Sequence, residues 1–359
     1  MSDGIASSPT RNADANSTTA TVRRPLPIAH FATSLQAPAR MTQTAELRAR
    51  LALDEWRTVA SSPQGDSRLA LTGGLDSDLP TEAGDWRLEG LLGEGALARV
   101  FRARPAASPP GSPASYALKL LRPQWEDQPE AVALLRREAK VGRAVIHPHV
   151  VPVLAAHVYQ PPYFIVMPRL AGQTLAARLG GGPLPSAIAL WIARQTAEAL
   201  DALHRHGYLH GDVKPANILI APGGHVTLLD LGFARRFEET GSAVDRLVLG
   251  TINYLAPELL VSALRADERT DIFSLGVVLF EMLAGRPPLV AGDLTELLRM
   301  QNEYRAPNLR TSRPELPPAL SGLVRRMLFK EPLRRPQSMS EVIEQLVRLE
   351  VDMLADRAA

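Results

Sequence analysis

The pattern of apolar and polar positions changes along the chain. Residues 1–84 show no sustained apolar period and begin with a long stretch rich in Ser, Thr, Ala and Pro, so we expect a largely disordered extension. Within it, residues 42–59 carry leucines and a tryptophan near one side and predict a single helix. Dense patterning over residues 85–350 predicts one folded domain, followed by a short tail at residues 351–359.

Strand patterns come first in this domain. The segment "WRLEGLLGEGALARVFRARP" predicts a strand, a glycine turn and a second strand, because its apolar residues alternate on both sides of the glycines. The segments "YALKLL" and "YFIVM" predict two further strands.

One predicted helix, "PEAVALLRREAKVGRAV", has a carboxylate on its apolar face. Leu134, Leu135 and Val141 recur at helical spacing, and Glu138 lies on the same side. A buried carboxylate is costly unless it is paired, so we expect Glu138 to have a partner. Gly142, one turn later, is expected to leave a thin spot in the packing of this face.

Later patterns are mainly helical. A long helix is predicted over "SAIALWIARQTAEALDALHRHG", then a hairpin in which "NILI" and "HVTLLD" flank "APGG", then helices after residue 255. Strands with one helix, followed by mostly helices, predict an α+β fold with two lobes, at residues 85–169 and 170–350.

Composition excludes several kinds of site. Charged residues make up 22% of the chain and the formal net charge is +2, so nothing indicates a nucleic-acid surface. The absence of cysteine excludes disulfides, Cys-ligated metals and thiol catalysis. The most apolar stretch, residues 272–285, is too short to span a bilayer, and the first residues do not resemble a signal peptide. We therefore expect a cytoplasmic protein without a membrane span.

Lysine is rare among the basic residues. The chain has 40 lysines and arginines, and only Lys119, Lys140, Lys214 and Lys330 are lysines. An ammonium and a guanidinium differ in size and direction, so a lysine that persists against this bias is expected to be needed for its chemistry.

Two loops carry candidate chemistry. The segment "LHGDVKPANIL" brings Asp212, Lys214 and Asn217 within six positions, and the predicted hairpin returns the chain to Asp230. Carboxylate and amide oxygens are the ligands that Mg²⁺ prefers, usually together with substrate phosphates. A single Asp or Asn in a loop is more often a turn residue, but two such loops at the same end of a hairpin favour a shared site.

The glycine-rich segment "GEGALARV" is a second candidate, since glycine turns let backbone N–H groups approach phosphate oxygens. A dinucleotide-binding fingerprint would require a helix directly afterwards, whereas the pattern here predicts a strand. A P-loop would require Gly-Lys-Ser/Thr, which is absent. Taken alone, this segment identifies no family.

Taken together and in this order, the motifs resemble the catalytic domain of protein kinases, of the eukaryotic-like Ser/Thr type found in bacteria, from about residue 86 to 350. The resemblance implies transfer of the γ-phosphate of ATP, with Mg²⁺ or Mn²⁺, to hydroxyl groups of protein substrates, including the chain itself by autophosphorylation.

The resemblance also assigns roles to single residues. It implies that Asp212 is the catalytic base, Lys214 steadies the transferred phosphoryl group, Lys119 holds the α- and β-phosphates, and Glu138 pairs with Lys119. The implied metal ligands are Asn217 and Asp230 of "DLG". The implied ATP-binding residues are Leu92, Gly93, Gly95, Ala98 in place of the usual third glycine, Val100, Ala117, Lys119, the gatekeeper Met167, the hinge residue Leu170, and Leu219. The implied structural residues are Thr251, Glu258, Asp271 and Arg335, with Arg335 paired to Glu258.

Two other functions remain open from the sequence. "HGD" also occurs in small-molecule phosphotransferases of the antibiotic- or choline-kinase sort, although Lys214, "DLG" and "APE" are typical of protein kinases. A pseudokinase scaffold would normally lack Lys119, Asp212 or Asp230. Gly211 stands where most relatives have an arginine that pairs with a phosphorylated activation segment. We therefore expect activity that does not depend, through that ion pair, on phosphorylation of the activation segment at Thr240, Ser242 or Thr251.

Overall fold

The computed structural model describes residues 79–237, 253–261, 266–291, 296, 299–300, 303–305 and 307–358. The predicted helix at 42–59 lies outside these ranges, as do Thr240, Ser242 and Thr251. The strands of the described chain are β1 (Glu82–Ala83), β2 (Trp86–Glu94), β3 (Ala98–Pro105), β4 (Tyr116–Leu121), β5 (Ala155–His157), β6 (Phe164–Pro168), β7 (Gln173–Thr174), β8 (Tyr208–Leu209), β9 (Ile218–Ile220), β10 (Val226–Leu228) and β11 (Arg235–Arg236).

A six-stranded antiparallel sheet forms the N-terminal lobe, in the order β1-β2-β3-β4-β6-β5. The alternation predicted for these segments appears as buried side chains such as Phe101 and Leu118 on one face. Register is irregular in β2, between Leu91 and Gly93, where the strand approaches the glycine turn. Strand β1 pairs with β2, so the sheet begins at Glu82.

The described helices are α1 (Pro129–Ala144), α2 (Leu175–Leu179), α3 (Ser186–Arg205), α4 (Pro257–Val261), α5 (Glu268–Ala284), α6 (Pro318–Met327) and α7 (Met339–Ala358). Helices α3, α5, α6 and α7 share one large apolar core with the hairpin β9-β10. The predicted helices over residues 129–145 and 186–207 and the predicted hairpin are therefore confirmed. A β-rich lobe and a helical lobe make up the predicted α+β fold.

Helix α1 turns its apolar stripe, including Ala131, Val132 and Leu135, onto a cluster beneath the sheet. Glu138 lies on this buried stripe and is 2% exposed. The expectation that Gly142 leaves a thin spot is wrong. A Cβ placed on Gly142 would lie 2.6 Å from Cγ2 of Val153, so the valine already fills the space that a larger residue would need.

The predicted domain end at residue 350 falls inside helix α7. Residues 351–358, which we expected to form a separate tail, continue this helix. The carboxylate of Glu350 on α7 accepts hydrogen bonds of 2.9 and 3.1 Å from Nε of Arg194 on α3. This contact ties α7 to α3. The described helices include none that is long and apolar enough to cross a membrane.

Candidate active site

A cleft of about 730 Å³ lies between the two lobes. It is lined from above by the glycine turn, β4 and α1, and from below by the loops that flank the hairpin β9-β10. Every catalytic, nucleotide-binding and metal-binding residue predicted from the sequence lines it: Leu92, Gly93, Gly95, Ala98, Val100, Ala117, Lys119, Glu138, Met167, Leu170, Asp212, Lys214, Asn217, Leu219 and Asp230. The three described residues expected to be structural, Glu258, Asp271 and Arg335, do not line it.

The upper wall of the cleft follows from the register of the sheet. Val100 on β3 faces Lys119 on β4, and Ala117 faces Met167 on β6. The glycine turn between β2 and β3 is closed by a hydrogen bond of 2.9 Å from the N–H of Gly95 to the carbonyl of Ala98. These pairings bring apolar side chains, one amine and a glycine backbone to the same space.

Lys119 joins both lobes through its amine. Its Nζ lies 2.7 Å from Oε2 of Glu138 on α1 and 2.9 Å from Oδ1 of Asp230. Glu138 therefore has the partner that its position on the apolar face requires. The ammonium of Lys119 also holds α1 close to the loop after β10, because it pairs with one carboxylate from each of these two segments.

Burial and charge act in opposite directions on this cluster. Burial alone would lower the pKa of Lys119, but Asp230 and Glu138 outweigh it and raise that pKa, so the amine stays protonated. Burial raises the pKa of Glu138 to about 7 against the pull of Lys119. For Asp230 the Lys119 ammonium outweighs burial and lowers the pKa, so this carboxylate stays ionised.

A second polar cluster surrounds the carboxylate of Asp212. Its Oδ2 lies 2.7 Å from Nζ of Lys214 and accepts a hydrogen bond of 3.0 Å from Nδ2 of Asn217. The same Asn217 amide nitrogen donates to the backbone carbonyl of Asp212 at 2.8 Å. Burial raises the pKa of Asp212, although Lys214 opposes this.

The backbone that presents Asp212 is held from below by a buried carboxylate. Asp271 at the start of α5 accepts hydrogen bonds from the N–H of His210 at 2.8 Å and of Gly211 at 2.9 Å. Gly211 has a φ of +77°, which glycine adopts without steric cost and other residues rarely adopt. The loop is therefore fixed through its backbone at Gly211.

His210 connects the two carboxylate loops. The N–H of Asp212 donates to Nδ1 of His210 at 3.2 Å, so Nε2 carries the ring proton and donates to the carbonyl of Leu229 at 3.0 Å. Leu229 directly precedes Asp230. The buried imidazole thus ties the backbone of the Asp212 loop to that of the Asp230 loop.

The predicted pair of Arg335 and Glu258 forms in the helical lobe. The guanidinium makes two parallel contacts of 2.8 Å with the carboxylate of Glu258. Its remaining N–H groups donate to the backbone carbonyls of Phe329, Arg269 and Lys330 at 2.7–2.9 Å. All five donors of a buried side chain are thereby satisfied, which is what a buried cation requires.

Sequence reasoning missed His204 on α3. Its Nε2 lies 2.9 Å from Oδ2 of Asp271, the same carboxylate that holds the Asp212 loop. Burial would raise the pKa of Asp271, but the hydrogen bond from His204 helps to lower it. A histidine on the apolar face of a predicted helix was the available signal, by the same logic that singled out Glu138.

The donors in the cleft fit a nucleotide with a divalent cation. Nothing lies within 4 Å of a Cβ placed on Gly93, so the backbone there is open to a ligand. The amide nitrogen of Asn217 is committed to Asp212, which turns the amide oxygen away from that carboxylate. Among the described residues no three acidic or histidine side chains form a metal site on their own, whereas Mg²⁺ commonly shares one or two such ligands with phosphates.

Comparison with known proteins identifies the family. The protein kinase domain model matches residues 86–347. Serine/threonine-protein kinase PknD of Mycobacterium tuberculosis is 34% identical over 264 residues, which are 73% of this chain and 39% of PknD. PknB of Mycolicibacterium smegmatis is 33% identical over 272 residues, 74% of this chain and 43% of PknB. The chain spans about two fifths of the length of these curated relatives.

A solved structure agrees with this match. The crystal structure of the Mycobacterium tuberculosis PknI kinase domain is 26% identical, with a TM-score of 0.58, and the match covers 75% of this chain and 98% of that domain. The matched family model covers most of the chain and includes both lobes and the cleft. This chain belongs to the protein kinase family.

Proposed function

We propose that the chain is a serine/threonine protein kinase that transfers the γ-phosphoryl group of ATP to protein hydroxyls. The observation that carries the proposal is that Lys119 forms ion pairs with both Glu138 and Asp230. This group lies in the same cleft as the Asp212–Lys214–Asn217 cluster. A pseudokinase would have no need to keep both clusters complete. The similarity to PknD and PknB supports protein as the acceptor.

The two cleft carboxylates have opposite environments, which suits two different roles. The raised pKa of Asp212 suits a general base that accepts the proton of a substrate hydroxyl. The lowered pKa of Asp230 keeps that carboxylate ionised as a ligand for a cation. Environments that separate the pKa values of neighbouring acids commonly mark such a division of labour.

The remaining residues of the cleft would orient the nucleotide and offset the charge of its phosphates. Bound ATP with Mg²⁺ or Mn²⁺ would supply the phosphoryl donor, with Asn217 and Asp230 as the protein ligands of the metal. Lys119 offsets phosphate charge and Lys214, 2.7 Å from Asp212, offsets charge beside the base. Leu92, Val100, Ala117 and Leu219 supply apolar surface for an adenine ring.

The acceptor can be identified with γ-labelled ATP. Purified protein is incubated with the label and Mg²⁺, in the presence of general protein substrates or of aminoglycosides and sugars. We expect phosphoserine or phosphothreonine after hydrolysis of the labelled protein, including autophosphorylated chain. Label found on the small molecules alone would support an antibiotic-type phosphotransferase instead.

Catalysis in this chain is further proposed not to require a phosphorylated activation segment. Gly211 has no side chain that could pair with a phosphate, and its backbone is already held by Asp271 and free of strain at a φ of +77°. The loop that carries Asp212 therefore has no arginine through which phosphorylation could act on it.

The double variant Thr240→Ala with Ser242→Ala tests this proposal. We expect its kcat/KM to stay close to that of the unchanged chain, because the ion pair that phosphorylation would strengthen is missing. The measurement is steady-state phosphorylation of a protein substrate, after both proteins have been incubated with Mg-ATP so that the unchanged chain can autophosphorylate. A large loss in the double variant would contradict the proposal.

A further inference from the structure

The tip of the glycine turn is attached to the segment that follows β4. Arg122 lies directly after β4, and Trp125 lies three residues later. The carboxylate of Glu94 in the turn accepts hydrogen bonds of 2.7 Å from Nη2 of Arg122 and from Nε of Arg99. Glu94 thus connects the turn through side chains both to β3 and to the segment that follows β4.

The backbone of the tip is also attached. The indole N–H of Trp125 donates to the carbonyl of Ala96 at 3.0 Å, and the N–H of Arg122 donates to the carbonyl of Leu97 at 2.9 Å. In a trans peptide the carbonyl and the next N–H point in opposite directions. The N–H groups of Leu97 and Ala98 are therefore directed away from Trp125 and Arg122.

Packing alone does not account for the contact between Trp125 and the turn. Trp125 is half-buried and packs with Leu97 against the apolar cluster beneath α1. That packing needs an aromatic ring but not its N–H group. The hydrogen bond to Ala96 is a separate interaction, directed at the part of the turn that lines the cleft.

We propose that Trp125, together with Arg122 and Glu94, is a latch that presets the glycine turn for the phosphates of a nucleotide. Trp125 is a positioning residue, since it contacts the turn and does not line the cleft. A turn that is ordered before binding loses less conformational entropy when the ligand arrives, and the ligand then binds more tightly. The latch rests on the proposed ATP-dependent function.

The variant Trp125→Phe tests the latch, because phenylalanine keeps an aromatic ring and removes the indole N–H. Binding of Mg²⁺ with a non-hydrolysable ATP analogue, and of adenosine, is measured by calorimetry. We expect the Kd of the analogue to rise about fivefold, the value of one neutral hydrogen bond. The Kd of adenosine should stay unchanged, since adenosine has no phosphates for the turn to contact.

Trp191→Phe is the matched control. The indole of Trp191 also donates to a backbone carbonyl, that of Gly224 at 2.8 Å, but in the helical lobe. This variant should bind both ligands like the unchanged chain, and thermal unfolding of both variants verifies that they are folded.

The results distinguish a failure of the latch proposal from a failure of the proposed kinase function. Unchanged binding of the analogue by Trp125→Phe, or an equal loss for the analogue and adenosine, would overturn the latch while leaving the kinase function in place. Failure of the unchanged chain to bind the analogue would overturn the proposed function, and the latch with it.

Discussion

Replacing Lys119 with methionine is expected to lower kcat/KM for phosphoryl transfer by about 10²–10³-fold, the loss typical of one preorganised charge at a reacting centre. Methionine has a similar length but no cation. The carboxylates of Glu138 and Asp230, now 2.7 and 2.9 Å from an amine, would lose their shared partner. The measurement is steady-state phosphorylation of a protein substrate over a range of ATP concentrations.

Lys140→Met is the control for this experiment. Lys140 is an exposed residue of α1, the helix that also carries Glu138, and it does not line the cleft. Its replacement should leave kcat/KM unchanged, because solvent and salt screen an exposed charge that lies outside the cleft. Equal activity of Lys119→Met and Lys140→Met would show that the cation bridging the lobes has no role in the reaction.

Replacing Arg335 with methionine is expected to destabilise the fold by about 3–5 kcal/mol, because a buried ion pair would lose one partner. Glu258 would keep a buried carboxylate facing an apolar side chain. Three backbone carbonyls would lose their donor as well. The measurement is urea unfolding of the two proteins, in which the variant should unfold at a much lower denaturant concentration.

Arg334→Met, the same substitution at the preceding arginine, is the control for Arg335→Met. The side chain of Arg334 is 61% exposed and lies 3.7 Å from Glu331, so removing it should change stability by less than about 1 kcal/mol. The double variant Arg335→Met with Glu258→Met should recover part of the loss, since it removes the stranded carboxylate too. Equal stability of the two single variants would contradict the structural role of Arg335.

The sequence predicted the site better than it predicted the packing around it. Glu138 could be singled out because a carboxylate on an apolar helical face demands a partner, and Lys119 is that partner. Asn217 and Asp230 could be brought together because a hairpin returns the chain to its starting point, and β9 and β10 do form that hairpin.

Contacts between segments distant in sequence could not be predicted in this way. The space beside Gly142 is filled by Val153 from a different segment, and no local pattern reports which residue fills a gap. Trp125 and Ala96 meet because β3 and β4 are adjacent in the sheet, a fact that appears only in the register. Helix α7 is tied to α3 at residue 350 by the contact between Glu350 and Arg194, which lie far apart in sequence.

Asp212 is the proposed base in phosphoryl transfer from this cleft. The most direct test compares wild-type chain and Asp212→Asn in single-turnover transfer from Mg-ATP to protein, with nucleotide affinity measured separately. We predict that transfer falls by about 10²–10⁴-fold while nucleotide affinity is retained, because asparagine cannot accept the proton. Equal rates of transfer in the two proteins would show that Asp212 is not the base.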